Sequence, residues 1–406
     1  MTATSEQFTV LTDGSSTSAR GFKAGALAAG IKPSGRPDLG IWASDVECVA
    51  IGTFTQNAFA AAPVLLSRER LANPRAQAVV FNAGNANACT GDGGLEVARE
   101  MSRLAASHLG IAPELVLVAS TGIIGVPLPV ENVREWLPKL EITPEGGHAA
   151  AQAIMTTDTR IKECAVSLDI GGREVRIGAM TKGVGMIYPN MATMLAFIGT
   201  DAALEPAFAK SALKRVVDRT FNMITVDGDT STNDSCFLLA NGLSGAPTLT
   251  SDHPDAERFA RGLEVVCTDL ARKMAADGEG ASKLLEVEVT GAASEADARK
   301  AARAVVGSSL LKAAIYGADP NWGRVFAAVG NSGVRVDPGK AALWIGSVQV
   351  ARDGVSTGVA KDVASAEMKG NEVRMHVDLG LGSGSARAWG CDLTEGYVVE
   401  NSAYST

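Results

Sequence analysis

Between Lys182 and Ala202 the chain reads KGVGMIYPNMATMLAFIGTDA, and a single hydroxyl, Thr193, sits within its apolar part. Before Asp201 the ionisable groups of this stretch are Lys182 and Tyr188; no histidine, cysteine or acid lies beside the threonine. A threonine hydroxyl becomes a useful nucleophile when a base takes its proton, and one such base is the residue's own α-amine once it heads a chain. With a pKa of about 7.7–8.0, that amine is neutral in roughly a tenth of molecules at pH 7, against roughly one in two thousand for an ordinary lysine. Chemistry by this route requires the Ala192–Thr193 peptide bond to be cut. The alternative is that Met191 to Ile198 is a core strand or helix start and Thr193 a buried hydroxyl with its hydrogen bonds made.

Other reactive patterns are weaker. GVSTG, Gly354 to Gly358, fits G-x-S-x-G, but it lies between two strand-like runs and His376 is the only later histidine. A nucleophile elbow should follow a strand and open a helix, so a hairpin turn is expected instead. KGVG lacks the lysine–serine spacing of a phosphate loop and the third glycine of a dinucleotide site. The four histidines are scattered without HxH or HxxxH, so no metal site is expected. Six cysteines without a CxxC pair read as reduced thiols of a cytoplasmic protein. A net charge of −8 and a pI near 5.2 argue against nucleic acid or an anionic membrane as partner. A local basic pocket for a small anion stays open. The first 25 residues lack the pattern of a secretory signal, and no uncharged apolar run approaches the ~20 residues of a membrane helix.

The elements that must position these residues follow from periodicity. Ala78 to Phe81 is a strand candidate, followed by the polar loop NAGNANACTGDGG. From Leu95 to His108, Val97, Met101, Leu104 and Ala105 share a helical face. ELVLVAS predicts a buried strand ending at Thr121-Gly122. A hairpin is expected where Val166, Leu168 and Ile170 alternate, Gly171-Gly172 turns, and Val175, Ile177 and Ala179 alternate back. Ala207 to Phe221 and Asp255 to Ala276 predict amphipathic helices. The change to period two in LLEVEV marks a sub-boundary near residue 285, followed by a C-terminal α+β unit over 286–406. There, helices are expected around Ala296 to Tyr316 and near Trp322, and hairpins at LWIGSVQVARDG and NEVRMHVDLG. The fold class is mixed α/β, of the α+β kind, with several sheets and layered helices.

The sequence resembles the ornithine acetyltransferase (glutamate N-acetyltransferase) family of arginine biosynthesis. The likeness runs in order through GFKAGALAAGIKPSGRPDL, NAGNANACTG, STGIIG, IMTTDT, the Lys182–Ala202 stretch, TVDGDTSTNDS, GADPNWGRV and ENSAYST. It implies the layered fold of the ornithine acetyltransferase/DmpA-like type, self-cleaved at Ala192–Thr193 into chains 1–192 and 193–406 that assemble two of each. It implies that Thr193 is the nucleophile, that Thr121 and Gly122 form the oxyanion hole, and that Thr156, Lys182, Thr193, Glu279, Asn401 and Thr406 contact substrate. The reaction implied is acetyl transfer from N-acetylornithine to glutamate through an acetyl-threonine, without a cofactor; acetyl-CoA as a second donor is left open. Tyr188 stands where many relatives have histidine, and Arg160-Ile161-Lys162 where they have a proline–lysine pair, which leaves the loop after Thr159 unspecified. Two other readings compete: a self-cleaving amidase or aminopeptidase that uses water as acceptor, and an acidic metabolite-binding protein whose threonine is core.

Overall fold

The computed structural model describes residues 8–188 and 194–403; Ala192, Thr193 and Thr406 lie outside them. The first sheet takes nine strands: β1 (Thr9–Val10), β2 (Phe22–Leu27), β3 (Leu39–Phe54), β4 (Arg75–Asn85), β5 (Val116–Ile123), β6 (Lys162–Ile170), β7 (Arg173–Lys182), β8 (Leu195–Thr200) and β9 (Ser235–Ala240). Their order is β1-β6-β7-β8-β9-β3-β4-β5, with β2 paired on β3. The β6–β7 hairpin forms as its alternation predicts, with Gly171 and Gly172 both at positive φ in the turn. β8 is buried at every position because both of its faces are covered. Ala196 and Ile198 face one core; Leu195 and Phe197 face another, in which Phe22, Trp42, Phe197 and Phe237 stack in series.

Helices close both faces. α1 (Ala62–Arg70), α2 (Gly91–Leu109) and α3 (Val130–Trp136) cover the β3–β5 end, and α4 (Gly147–Ala153) covers the aromatic core. α5 (Pro206–Arg219) and α6 (Ala256–Ala276) lie across the opposite face, and the Leu213, Val216 and Val217 stripe of α5 points inward as expected. α2 begins inside the segment read as loop. Its buried residues are Gly94, Ala98, Met101, Ser102, Ala105 and Ala106, so Met101 and Ala105 point inward as expected while Val97 and Leu104 flank them, partly buried against the same core.

The second sheet orders β13-β12-β11-β14-β10-β15, from β10 (Leu284–Ala292), β11 (Ala342–Ile345), β12 (Val348–Arg352), β13 (Val355–Ser356), β14 (Glu372–Asp378) and β15 (Gly384–Cys391). Its helices are α7 (Glu295–Val306), α8 (Ser309–Tyr316), α9 (Trp322–Asn331), α10 (Lys361–Ala366) and α11 (Glu395–Ala403). The β11–β12 hairpin is as expected. NEVRMHVDLG is not a hairpin but one inner strand, β14, parallel to β10 and antiparallel to β11. GVSTG lies at a turn: Asp353 and Gly354 take positive φ, and Val355-Ser356 pairs back on β12. His376 is engaged elsewhere, with Nε2 2.8 Å from Thr290 Oγ1. Among the described residues no helix is long and apolar enough to cross a membrane, and no cluster of His, Cys, Asp or Glu could hold a metal ion. All six cysteines are free thiols.

Candidate active site

Strand ends build the site. β5 does not stop at Thr121-Gly122 but carries both, in parallel register with Ala83 and Gly84 of β4. Gly122 has φ +131, and a Cβ there would lie 2.3 Å from the Gly84 carbonyl carbon, so only glycine fits. Asn233 fixes this end from the side: its Nδ2 donates to Ser120 O at 2.9 Å and Ala86 O at 2.6 Å.

Lys182, the last residue of β7, turns its buried side chain toward the same place. Its Nζ donates to Thr156 Oγ1 at 2.8 Å and reaches Thr121 Oγ1 at 3.3 Å and Asp158 Oδ2 at 4.0 Å. Burial lowers its pKa below the ordinary lysine value, and the Asp158 carboxylate opposes this only in part. The margin by which a free α-amine outranks this lysine as a base is therefore smaller than for an untuned side chain.

Beneath Lys182 lies a charge cluster that the sequence did not announce. Lys162 is fully buried and its Nζ donates to Asp158 Oδ1 (2.7 Å), Asp277 Oδ2 (2.6 Å) and Arg160 O (3.2 Å). Asp158 also accepts from the Gly183 and Thr156 amides, and Asp277 from Thr159 N and Oγ1. Burial acts to raise the Asp158 pKa; the Lys182 and Lys162 charges together outweigh it and hold the carboxyl below its usual range. Lys162, the last residue of the Arg160-Ile161-Lys162 run, is thus the central cation of this cluster.

The rim comes from distant segments. Glu279 follows α6; its carboxylate accepts from Thr157 Oγ1 at 2.8 Å and from Asn401 Nδ2 of α11 at 2.9 Å. Gly185 makes room for it, since a Cβ there would sit 2.3 Å from Glu279 Oε2. Thr121, Gly122, Thr156, Lys182, Glu279 and Asn401 line one cavity with Ser231, Thr232 and Asn233. A roomier cavity of about 690 Å³ lies between β3, α1 and α5, but no carboxylate, imidazole or thiol lines it.

The chain re-enters the described structure at Met194, whose amide donates to Asp234 Oδ1 at 2.9 Å. Asp234 is wholly buried, its other oxygen has no hydrogen-bond partner among the described residues, and burial pushes its pKa well above the usual carboxylate value. Asp158, Asp277, Asn233 and Asp234 were missed as individual residues. Three of them sit in polar loops, TTDT and TVDGDTSTNDS, that the resemblance had already singled out as blocks.

The ArgJ family model matches residues 23–406. The arginine biosynthesis bifunctional protein ArgJ of Symbiobacterium thermophilum is 52% identical over 397 residues, 97% of this chain and 99% of that one. The protein of the same description from Thermus thermophilus is 49% identical over 388 residues, 95% of this chain and 98% of its own. The crystal structure of arginine biosynthesis bifunctional protein argJ from Bacillus halodurans is 45% identical with a TM-score of 0.50. It matches 98% of that chain with 51% of this one. With the family model spanning both sheets and the relatives matching almost end to end, the chain belongs to the ArgJ family.

Proposed function

We propose that the protein transfers the acetyl group of N-acetylornithine to glutamate through an acetyl ester on Thr193. One observation carries the reading: five separate segments bring Thr121-Gly122, Thr156, Lys182, Glu279 and Asn401 to one cavity. In the first half-reaction the Thr193 hydroxyl attacks the acetyl carbonyl and its proton passes to the freed Thr193 amine. The oxyanion that forms is stabilised by the Thr121-Gly122 pair. The Thr121 hydroxyl oxygen lies within reach of the Lys182 ammonium, which leaves its own proton free to donate. The C–N bond then breaks and the amine returns its proton to the departing ornithine nitrogen. In the second half the glutamate α-amine attacks the ester and Thr193 recovers its proton.

Glu279 suits the ornithine ammonium, and Lys182 a substrate carboxylate. Asn401 orients Glu279, and Thr406 completes the substrate contacts from outside the described residues. Cleavage at Ala192–Thr193 proceeds by attack of the hydroxyl on the Ala192 carbonyl, an acyl shift from nitrogen to oxygen, and hydrolysis of the ester. The solved Bacillus halodurans chain supports such a cut, being matched almost whole by about half of this one. We place the enzyme in the cytoplasm as two copies of each chain, with acetyl-CoA as a second donor and no resident cofactor.

Denaturing gels and N-terminal sequencing of active protein should give two pieces, the second beginning Thr-Met-Leu; Thr193→Ala should stay intact and release no ornithine. A single intact band from active protein would sink the scheme. Ornithine release that does not need glutamate would favour the amidase reading instead.

A further inference from the structure

Acceptor and donor pose a problem of charge. Glutamate and ornithine share an α-amine and an α-carboxylate, but their side chains end in opposite charges. A Glu279 that suits the ornithine ammonium repels the glutamate side chain, so the acceptor needs a different place for its second carboxylate.

A second pocket, of about 330 Å³, adjoins the site through Thr156, which lines both. Ile123, the residue after the Thr121-Gly122 pair, forms one wall, and Lys32, Arg36 and Gln152 supply the polar groups. Lys32 lies against the catalytic strand ends. A Cβ on Gly84 would sit 2.9 Å from Lys32 Cγ, and Gly84 is the residue on which Gly122 packs. Two backbone carbonyls, Pro37 O and Ala153 O, hold Lys32 Nζ at 2.8 Å each, which leaves one N–H of three without a described partner. The nearby Asp38 carboxylate is occupied by the amides of Ala29, Ile31 and Lys32. Among the described residues neither Lys32 nor Arg36 has an acidic side chain within ion-pair distance. Burial pushes the Lys32 pKa down to about 8, so it is still mainly charged at pH 7. Two cations facing one apolar-walled pocket, with no protein anion between them, mark a place for an anion that arrives with a ligand.

We propose that the pocket between Lys32, Arg36 and Thr156 is the subsite for the side-chain carboxylate of the acceptor amino acid. The inference rests on the acetyl-transfer reading and assigns the feature that lets one nucleophile serve two substrates of opposite side-chain charge. Donor and acceptor share the contacts around Lys182 and diverge beyond Thr156, one toward Glu279 and the other toward Lys32.

The test uses the full-length processed protein with Arg36→Gln, Lys32→Met and the double variant. Two activities are read separately: exchange of labelled ornithine into N-acetylornithine without glutamate, and acetyl transfer to glutamate or to glutamine as an uncharged acceptor. The KM for glutamate should rise about tenfold or more relative to that for ornithine exchange, in line with loss of a charged hydrogen bond. The preference for glutamate over glutamine should shrink by a similar factor. Arg36 is exposed, so its variant should fold even if Lys32→Met does not. An unchanged glutamate KM in all variants, or equal losses in both activities, would overturn the subsite. A loss confined to acetyl-CoA-dependent acetylation would overturn it too, by assigning the pocket to a phosphate of the thioester carrier. Absence of exchange in the wild-type protein would instead sink the acetyl-transfer reading, and the subsite with it.

Discussion

The floor of the site and its rim differ in burial and in construction. Lys162, Lys182, Asp158 and Asp277 form the floor with side chains no more than 3% exposed, and each charge faces an opposite one. Glu279 and Asn401 form the rim. Asn401 is exposed, and their mutual contact is a single hydrogen bond supported by Thr157. A buried cluster of this kind is costly to assemble and more costly to leave half-paired, so it holds one geometry. A rim of single bonds at the water's edge can adjust to different ligands at small expense.

Lys162→Met tests the difference most severely. It would leave Asp158 and Asp277 buried without their shared cation, and should cost about 3–5 kcal/mol in denaturant unfolding. A loss under about 1 kcal/mol would show the floor to be as forgiving as an exposed pair. Gly122→Ala comes next. Its methyl group would meet the Gly84 backbone at an unfavourable φ and displace the donors proposed for the oxyanion, lowering kcat by about 100-fold or more while KM changes little. Equal loss in KM would place Gly122 in substrate binding instead.

Asn401→Ala should act only at the rim: KM for N-acetylornithine up by about five- to tenfold, with the unfolding midpoint unmoved. The smallest effect concerns pH. Asp158 is held below its usual pKa, so its stabilising contribution is complete above about pH 4 and is lost as pH falls through the folded value. The stability difference between wild type and Asp158→Asn, which isolates this carboxylate from raised ones such as Asp234, should be flat from pH 7 to about 5 and shrink below about 4; a difference already shrinking at pH 6 would contradict the direction of that shift.

Much of this architecture could be read from local pattern. The β6–β7 hairpin, α5 and α6 are visible because alternation or a helical stripe and a turn signal agree within a few residues. Thr121-Gly122 was read as a strand end because glycine usually interrupts strands; here the strand continues because Gly84 lies opposite and leaves space for it. β14 was read as a hairpin because a period of two reports burial and not the partner, and its parallel neighbour β10 lies far earlier in the chain. The eight site positions (six of them lining the cavity, with Thr193 and Thr406 outside the described residues) take their roles from the resemblance, not from spacing. The burial of Lys162 has no such signal: in RIKEC it looks like a solvated cation, and besides Asp158 four residues earlier its partner is Asp277, 115 residues away. Charge pairing across such a separation leaves no local trace.

The strand order of the first sheet sets a sequence of events. β8 and β9 belong to the later piece of the proposed cut, yet they are dovetailed between β7 and β3 of the earlier piece, in ladders from Ile177–Thr200 to Lys182–Leu195 and from Val49–Ala240 to Phe54–Ser235. An earlier piece made alone would present two raw edges, at β7 and β3, open to wrong partners. Under the proposed cut, the polypeptide would assemble as one before scission, and its halves would stay locked afterwards by the sheet that once joined them.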